Sequence, residues 1–477
     1  MLFTSIPFLV FFILLFAVYW AVAKNMRLQN LLLLAGSYVF YAWADWRLLF
    51  LLIGISAAVF FLAIAMEKDG EGRRKRLLFG LGLVLTIGSL AYFKYFNFFV
   101  DSFNHLLGSL GIHSALHTLR IVVPLGISFF TFRILTYLFD VHNGKMRPTH
   151  DLVIFFNYVA FFPSLLAGPI DRAKMFIPQL EKKRTFTYAE GVSGMRQILY
   201  GLFKKVVIAD RCADFANGIF NDYHSYSGST LVVGAIVFTF QIYADFSGYS
   251  DMAIGIARLL GFNITKNFDF PLFAENIAEF WRKWNISLTT WLTDYLFTPL
   301  SIRFRDLGKT GLILAIIITF TICGIWHGAS WTYVLFGFLH GCYYIPLIIR
   351  GTMTKRRKKT QGRALPSFSH LANMVLTFGL VTLAFILFRS DTVSDAVEYC
   401  RRILSRSLFA RPMISTALLG PLAIFLLIEW IGRNSEYAIE RIGAGWNPVG
   451  RWAFYFALFL IIFFYQGKPA PFIYFQF

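Results

Sequence analysis

Apolar runs separated by short polar or basic segments recur along the whole chain, and most are long enough to cross a hydrocarbon layer about 30 Å thick. The pattern predicts spans at residues 7–23, 28–44, 48–66, 77–99, 119–139, 152–170, 231–246, 311–325, 333–349, 371–388, 416–431 and 452–465. Together they define an all-α, polytopic transmembrane helical bundle of about 11–13 spans, with re-entrant and interfacial helices between some of them. The first run lacks a basic leader and a small-residue cleavage pattern, so it reads as a retained helix. With no long linker, repeat or low-complexity tract, residues 1–477 read as one integrated domain.

Two stretches depart from simple spanning. The 152–170 run is punctuated by Pro163, Gly168 and Pro169 and flanked on both sides by basic segments, which suits a re-entrant hairpin lining a cavity. Between Tyr243 and Trp291 lies a second irregular zone, in which Asp245, Ser247, Tyr249, Ser250 and Asp251 interrupt an apolar run and must fold inward, away from lipid. Its later part carries Glu279 and Lys283 at i,i+4 spacing together with Trp281, Trp284 and Trp291. That combination predicts an amphipathic helix at the membrane interface, anchored by its indoles.

Composition agrees with this picture: 57% of the 477 residues are hydrophobic, 55 are phenylalanine and 15% are charged. The net charge of +19 concentrates in short connections at Arg73 to Arg76, Lys182 to Arg184 and Lys355 to Lys359, which the positive-inside rule places in the cytoplasm. The N-terminus is then expected outside. Lys182, Lys183, Arg184, Arg356 and Lys358 form a basic surface suited to an anionic cytoplasmic ligand. Nucleic acid is not expected as a partner, because no aromatic interleaving or soluble domain presents these charges. Membrane lipid is.

Among candidate chemical groups, His327 stands out as an ionisable side chain within the apolar and aromatic stretch from Thr321 to Trp331. Such a group inside a membrane protein is either functional or a helix-to-helix hydrogen bond. His340 is the other histidine within a span, and reads as a supporting hydrogen bond or a second functional group. On a straight helix the 13 intervening steps would separate the two by about 20 Å, so a shared dyad requires a bend near Gly328 to Ser330. Ser330 reads as a small residue for close helix approach. His113 and His117 share i,i+4 spacing but lack further ligands, and Cys212, Cys323, Cys342 and Cys400 are scattered, so no metal site or disulfide framework is expected. There is no phosphate-binding glycine loop, dinucleotide fingerprint or nucleophile elbow.

The chain resembles the membrane-bound O-acyltransferase family, in its bacterial alginate O-acetylase-like branch. The resemblance rests on Pro124 to Phe132, Ala167 to Ile170, Tyr243 to Asp251, Phe280 to Leu288, Trp326 to Trp331 and Phe472 to Phe477, in that order along the chain. It implies a bundle around a central tunnel or funnel, with His327 at the position of the family's near-universal histidine and His340 at that of the branch's second one. The branch usually has Trp-His-Ile-Ser where this chain has Trp284-Asn285-Ile286-Ser287. More distant members pair an asparagine with the histidine, which makes Asn285 the polar partner here. Trp326, Arg282, Asp245, Tyr249 and Ser250 fall within the same motifs as supporting residues.

The expected reaction moves acetyl from cytoplasmic acetyl-CoA to hydroxyls of an extracytoplasmic polysaccharide, directly or via a periplasmic acetyltransferase partner. No tightly bound cofactor is expected, and the cell inner membrane is the expected location. His327 would act as general base and Asn285 as a donor to the carbonyl oxygen, a covalent acyl-histidine being the competing route. An acyl-carrier protein is the alternative donor. A transporter or flippase without covalent transfer, or a subunit that only docks a partner enzyme, would use similar broken helices.

Overall fold

The computed structural model describes residues 1–68, 72–112, 116–355, 365–465, 467 and 470–475. Helices dominate, and the described residues contain no strand. Among the described residues six helices are long and apolar enough to cross a membrane: Trp46–Lys68, Arg73–Ser109, Gly228–Leu259, Arg305–His327, Trp331–Ile349 and Phe368–Arg389. Ile6–Ala21, Thr416–Gly432 and Pro448–Phe464 are apolar but shorter. The protein is thus a multi-pass helical membrane protein. Several expected spans form helices below full spanning length. The 119–139 run, for example, becomes helical only at Ile127, after Gly126 at φ 74°, where a Cβ would stand 2.7 Å from the Leu165 carbonyl oxygen.

The chain divides into two compact units, one of Met1–Ile198 with Met252–Thr265 and one of Leu199–Asp251 with Lys266–Phe477. In the first, the 152–170 run is broken as its prolines predict: helix Leu152–Ala160, a single turn Phe162–Leu165, then non-helical backbone, buried from Tyr158 through Asp171. Irregular backbone so placed needs internal partners. Arg133 supplies them from helix Ile127–His142, donating to the Tyr158 carbonyl at 2.8 Å and to the Ser164 hydroxyl, and pairing with Asp171 at 3.3 Å. The Tyr158 hydroxyl donates back to the Arg133 carbonyl, and Thr265 donates its N–H and hydroxyl to Asp171, each at 2.8 Å.

In the second unit, Asp245 to Asp251 are expected to interrupt a helix but lie within the unbroken helix Gly228–Leu259. The carboxylates are tolerated because the π-helical segment Phe203–Ala209 brings two lysines to them. Lys204 pairs with Asp251 at 2.5 Å, and Lys205 with Asp245 and Asp210 at 2.9 Å each. Gly248 permits the approach, since a Cβ there would lie 2.8 Å from the Gly201 carbonyl oxygen. Irregular backbone begins only after this helix ends.

Candidate functional site

His327 is the last residue of helix Gly308–His327, after which the chain reverses through Gly328 to Ser330 into helix Trp331–Tyr343. The reversal is tight because Gly324 and Gly337 face each other across the hairpin, and a Cβ on either would collide with the opposite backbone. Ser330, expected to allow close helix approach, lies at the start of the second helix. It is the N-cap, accepting the Thr332 N–H at 3.3 Å. The imidazole of His327 is 4% exposed and walled by rings: Trp326 at 5.0 Å between centroids, Phe388 at 5.3 Å, Tyr474 at 5.7 Å and Phe336 at 5.8 Å. One turn back, the Cys323 sulfur lies 4.0 Å from Nε2.

The bend that a joint role for the two histidines requires is therefore present. His340, fully buried, packs at 4.6 Å on the same Phe336 ring that touches His327. Its Nδ1 accepts the Trp281 indole N–H at 3.2 Å, which leaves the remaining proton of a neutral ring on Nε2. That nitrogen has no hydrogen-bond partner among the described residues.

Asn285 sits at a break. The expected interfacial helix is two short helices, Ile277–Lys283 and Ile286–Leu292, and Asn285 between them is left-handed at φ 44°, ψ 55°. Non-glycine residues seldom adopt this conformation, and asparagine is among those that do so most readily. The predicted Glu279–Lys283 pair forms at 2.7 Å. The indoles, however, are not surface anchors: Trp281, Trp284 and Trp291 are all buried, because this segment packs into the unit's aromatic core. Trp284 stacks on Phe280 at 5.2 Å and meets Phe385 at 5.6 Å, and Phe385 in turn stacks on Phe336. One set of rings thereby joins the neighbourhoods of Asn285, His340 and His327. An apolar cleft lined by Phe280, Trp284, Thr377, Val381 and Phe385 opens beside Trp284. The Asn285 side chain is buried, and its Nδ2 has no hydrogen-bond partner among the described residues.

The other expected residues divide into those near this cluster and those elsewhere. Trp326 covers one side of His327. Asp245 anchors the segment that supplies Tyr474, accepting the Ile473 N–H at 2.8 Å while Lys205 donates to the Ala470 carbonyl at 3.0 Å. Tyr249 packs on Phe472 of that segment at 4.8 Å. Ser250 accepts a hydrogen bond from Asn267, described below. Arg282 instead donates to the Met353 carbonyl at 3.2 Å. In the first unit Lys182 and Lys183 are exposed, but Arg184 is not part of their surface. It is buried, donating to Gln29 at 2.9 Å and to Asn30 at 2.6 Å, because the aromatic faces of Tyr19 and Phe262 cover its guanidinium. Arg356, Lys358 and His113 lie outside the described residues.

Sequence reasoning misses several buried polar residues of the second unit. Glu429 accepts the hydroxyls of Tyr200 at 2.6 Å and Tyr243 at 2.5 Å, and a lone carboxylate within the 416–431 run is as conspicuous in sequence as His327. The same holds for Lys204 and Lys205 between apolar neighbours. Burial pushes the Asp210 carboxyl up to about 6, against the opposing pull of Lys205. Asn267, 1% exposed, has no such signal, since it lies in a polar stretch that reads as a loop.

A profile of the membrane-bound O-acyltransferase family matches residues 79–381. The probable alginate O-acetylase AlgI of Pseudomonas aeruginosa is 38% identical over 399 residues, covering 83% of this chain and 73% of its own length. The protein of the same name from Pseudomonas putida is 33% identical with both chains covered in full. The peptidoglycan O-acetyltransferase of Helicobacter pylori is 34% identical over 423 residues, covering 83% of this chain and 76% of its own.

Proposed function

The chain belongs to the membrane-bound O-acyltransferase family, and from that membership we propose that it transfers acetyl from cytoplasmic acetyl-CoA to hydroxyls of an extracytoplasmic polysaccharide, directly or via a periplasmic acetyltransferase partner. Membership makes it an acyltransferase, which favours catalysis over bare transport or a docking role. The relatives' names point to acidic exopolysaccharide or cell-wall glycan as acceptor class. The proposed location is the cell inner membrane. Lys182 and Lys183 offer an anionic donor a cationic approach.

In the proposed reaction the acceptor hydroxyl oxygen attacks the thioester carbonyl carbon while His327 takes the hydroxyl proton. The negative charge that develops on the carbonyl oxygen is met by the Asn285 amide. The tetrahedral intermediate collapses with cleavage of the carbon–sulfur bond, and the departing thiolate recovers the proton from His327. The ester and free thiol leave the histidine as it began. Rings that keep water away protect the thioester from hydrolysis. His340 and Trp281 hold the wall behind the site.

The observation that carries this reading is the coexistence, in one buried aromatic cluster, of His327 and an Asn285 amide donor without a hydrogen-bond partner among the described residues. An unmet buried donor costs about 1–3 kcal/mol, a cost removed when a substrate carbonyl accepts from it. The test is transfer of radiolabelled acetyl from acetyl-CoA into polymer by membranes carrying the intact chain or His327→Ala at matched levels. Label transferred by the intact chain alone supports the reading, and equal transfer by both removes His327 from it. Transfer from acetyl-carrier protein but not from acetyl-CoA would replace the donor.

A further inference from the structure

Asn285 holds an uncommon backbone conformation with no glycine beside it, so something must fix the break in place. The contacts around it converge on one residue. Asn267 accepts the Ser287 hydroxyl at 2.6 Å and the Ser287 N–H at 3.3 Å on its side-chain oxygen. Its backbone carbonyl accepts the Ile286 N–H at 2.9 Å. Its side-chain nitrogen donates to the Ser250 hydroxyl at 3.2 Å, fastening the break to helix Gly228–Leu259. Two residues further along, the Asp269 N–H donates to the Lys283 carbonyl at 2.9 Å. The residues immediately after Asn285 are therefore tied to Asn267, and the residue two before it is tied to Asp269, while Asn285 keeps its own amide nitrogen out of this network.

We propose that Asn267 is a positioning residue for acyl transfer: by clasping Ile286, Ser287 and Ser250 it holds Asn285 left-handed and directs its side-chain amide to the acyl carbonyl. This rests on the reading of Asn285 given above. Asn267 touches no reacting atom itself. Its contribution is orientation, since a donor displaced by about 1 Å from a developing oxyanion loses much of its effect.

Two measurements decide it, and the first needs no activity. In detergent, hydrogen exchange of the amides of residues 284–288 should quicken at least about tenfold in Asn267→Ala, with the hairpin around His327 unchanged. Unchanged exchange at 284–288 overturns the clasp whatever the protein catalyses. The second is a double-mutant cycle on labelled acetyl transfer. Asn267→Ala and Asn285→Ala should each lower kcat by about 10²-fold with the donor KM unaltered, and the double variant should fall no further than either alone. Asn267→Asp, which keeps the acceptor for Ser287, should recover at least about a tenth of the wild-type rate. Additive losses would show that Asn267 acts independently of Asn285 and would sink the proposal. Should Asn267→Ala not fold, Ser287→Ala removes the clasp's shortest bond and must show the same faster exchange and non-additivity. Wild-type protein that exchanges as expected but transfers no acetyl would refute the acetyltransferase reading and leave the clasp standing.

Discussion

Arg133 in the first unit and Asn285 in the second are each 1% exposed, and each serves a place where helix gives way to irregular backbone, Arg133 by reaching it with its side chain from mid-helix and Asn285 by lying in the break itself. Arg133 spends its guanidinium on the Tyr158 carbonyl, the Ser164 hydroxyl and Asp171, and Asp171 takes Thr265 in return. The arrangement uses protein groups to settle a broken helix. Asn285 is held by its backbone neighbours, while its side-chain nitrogen has no hydrogen-bond partner among the described residues. A polar group with partners inside apolar surroundings is a structural joint, whereas one held in place without them is suited to a substrate. The contrast lies in what the groups bond, since the Arg133 Nε is itself without a hydrogen-bond partner among the described residues while its two terminal nitrogens are engaged.

The contrast can be broken most directly at His327. Replacement by alanine should lower acetyl transfer by about 10²- to 10⁴-fold while thermal unfolding in detergent stays near that of the wild type. A variant as active as wild type would end the assignment. Next in size, Asn285→Gly should lower kcat by about 10²- to 10³-fold and leave stability unchanged or slightly higher, because glycine is at ease at φ 44°. Full activity in this variant would mean that the backbone break, and not the amide, is what the site needs. Arg133→Met should do the opposite. It strands Asp171 and should cost about 3–5 kcal/mol of stability, read as a fall in folded yield and melting temperature, with turnover per folded molecule preserved.

The smallest effect concerns Asp210, which lies outside the spanning helices. Its carboxyl is raised to about 6 by burial, so the folded state holds that proton more tightly than the unfolded chain does. The resulting penalty is absent below about pH 4 and grows as pH rises through 6. Asp210→Asn should therefore melt higher than wild type at pH 8, and the difference should shrink as pH is lowered to 5. A gap that stays constant with pH would show that Asp210 does not titrate differently in the folded protein.

The helical membrane architecture is legible in the apolar runs, and His327 is legible because an ionisable side chain is costly among such neighbours. The same rule marks Lys204, Lys205 and Glu429, and applying it to histidines alone passes over them. Composition could not reveal the left-handed turn at Asn285, because no glycine or proline announces it. Nor could it tell buried indoles from interfacial ones. Trp281, Trp284 and Trp291 carry the spacing of membrane anchors, yet Trp281 and Trp284 pack against Phe280, Phe320, Phe385 and His340, and Trp291 is buried beside Tyr295. Arg184 shows the limit of reading a charge run. Three adjacent cations look alike in sequence, but tertiary contacts turn one of them inward to Gln29 and Asn30.

The left-handed turn also restricts what any substitution library at position 285 can return. Asparagine, aspartate, histidine and glycine accept that region of backbone space with least penalty, whereas glutamine, serine and threonine, closer to asparagine in some respects, do not. A screen for altered acyl or acceptor preference would thus draw its survivors from a short alphabet filtered by φ before chemistry is tested. The asparagine found here is a member of it.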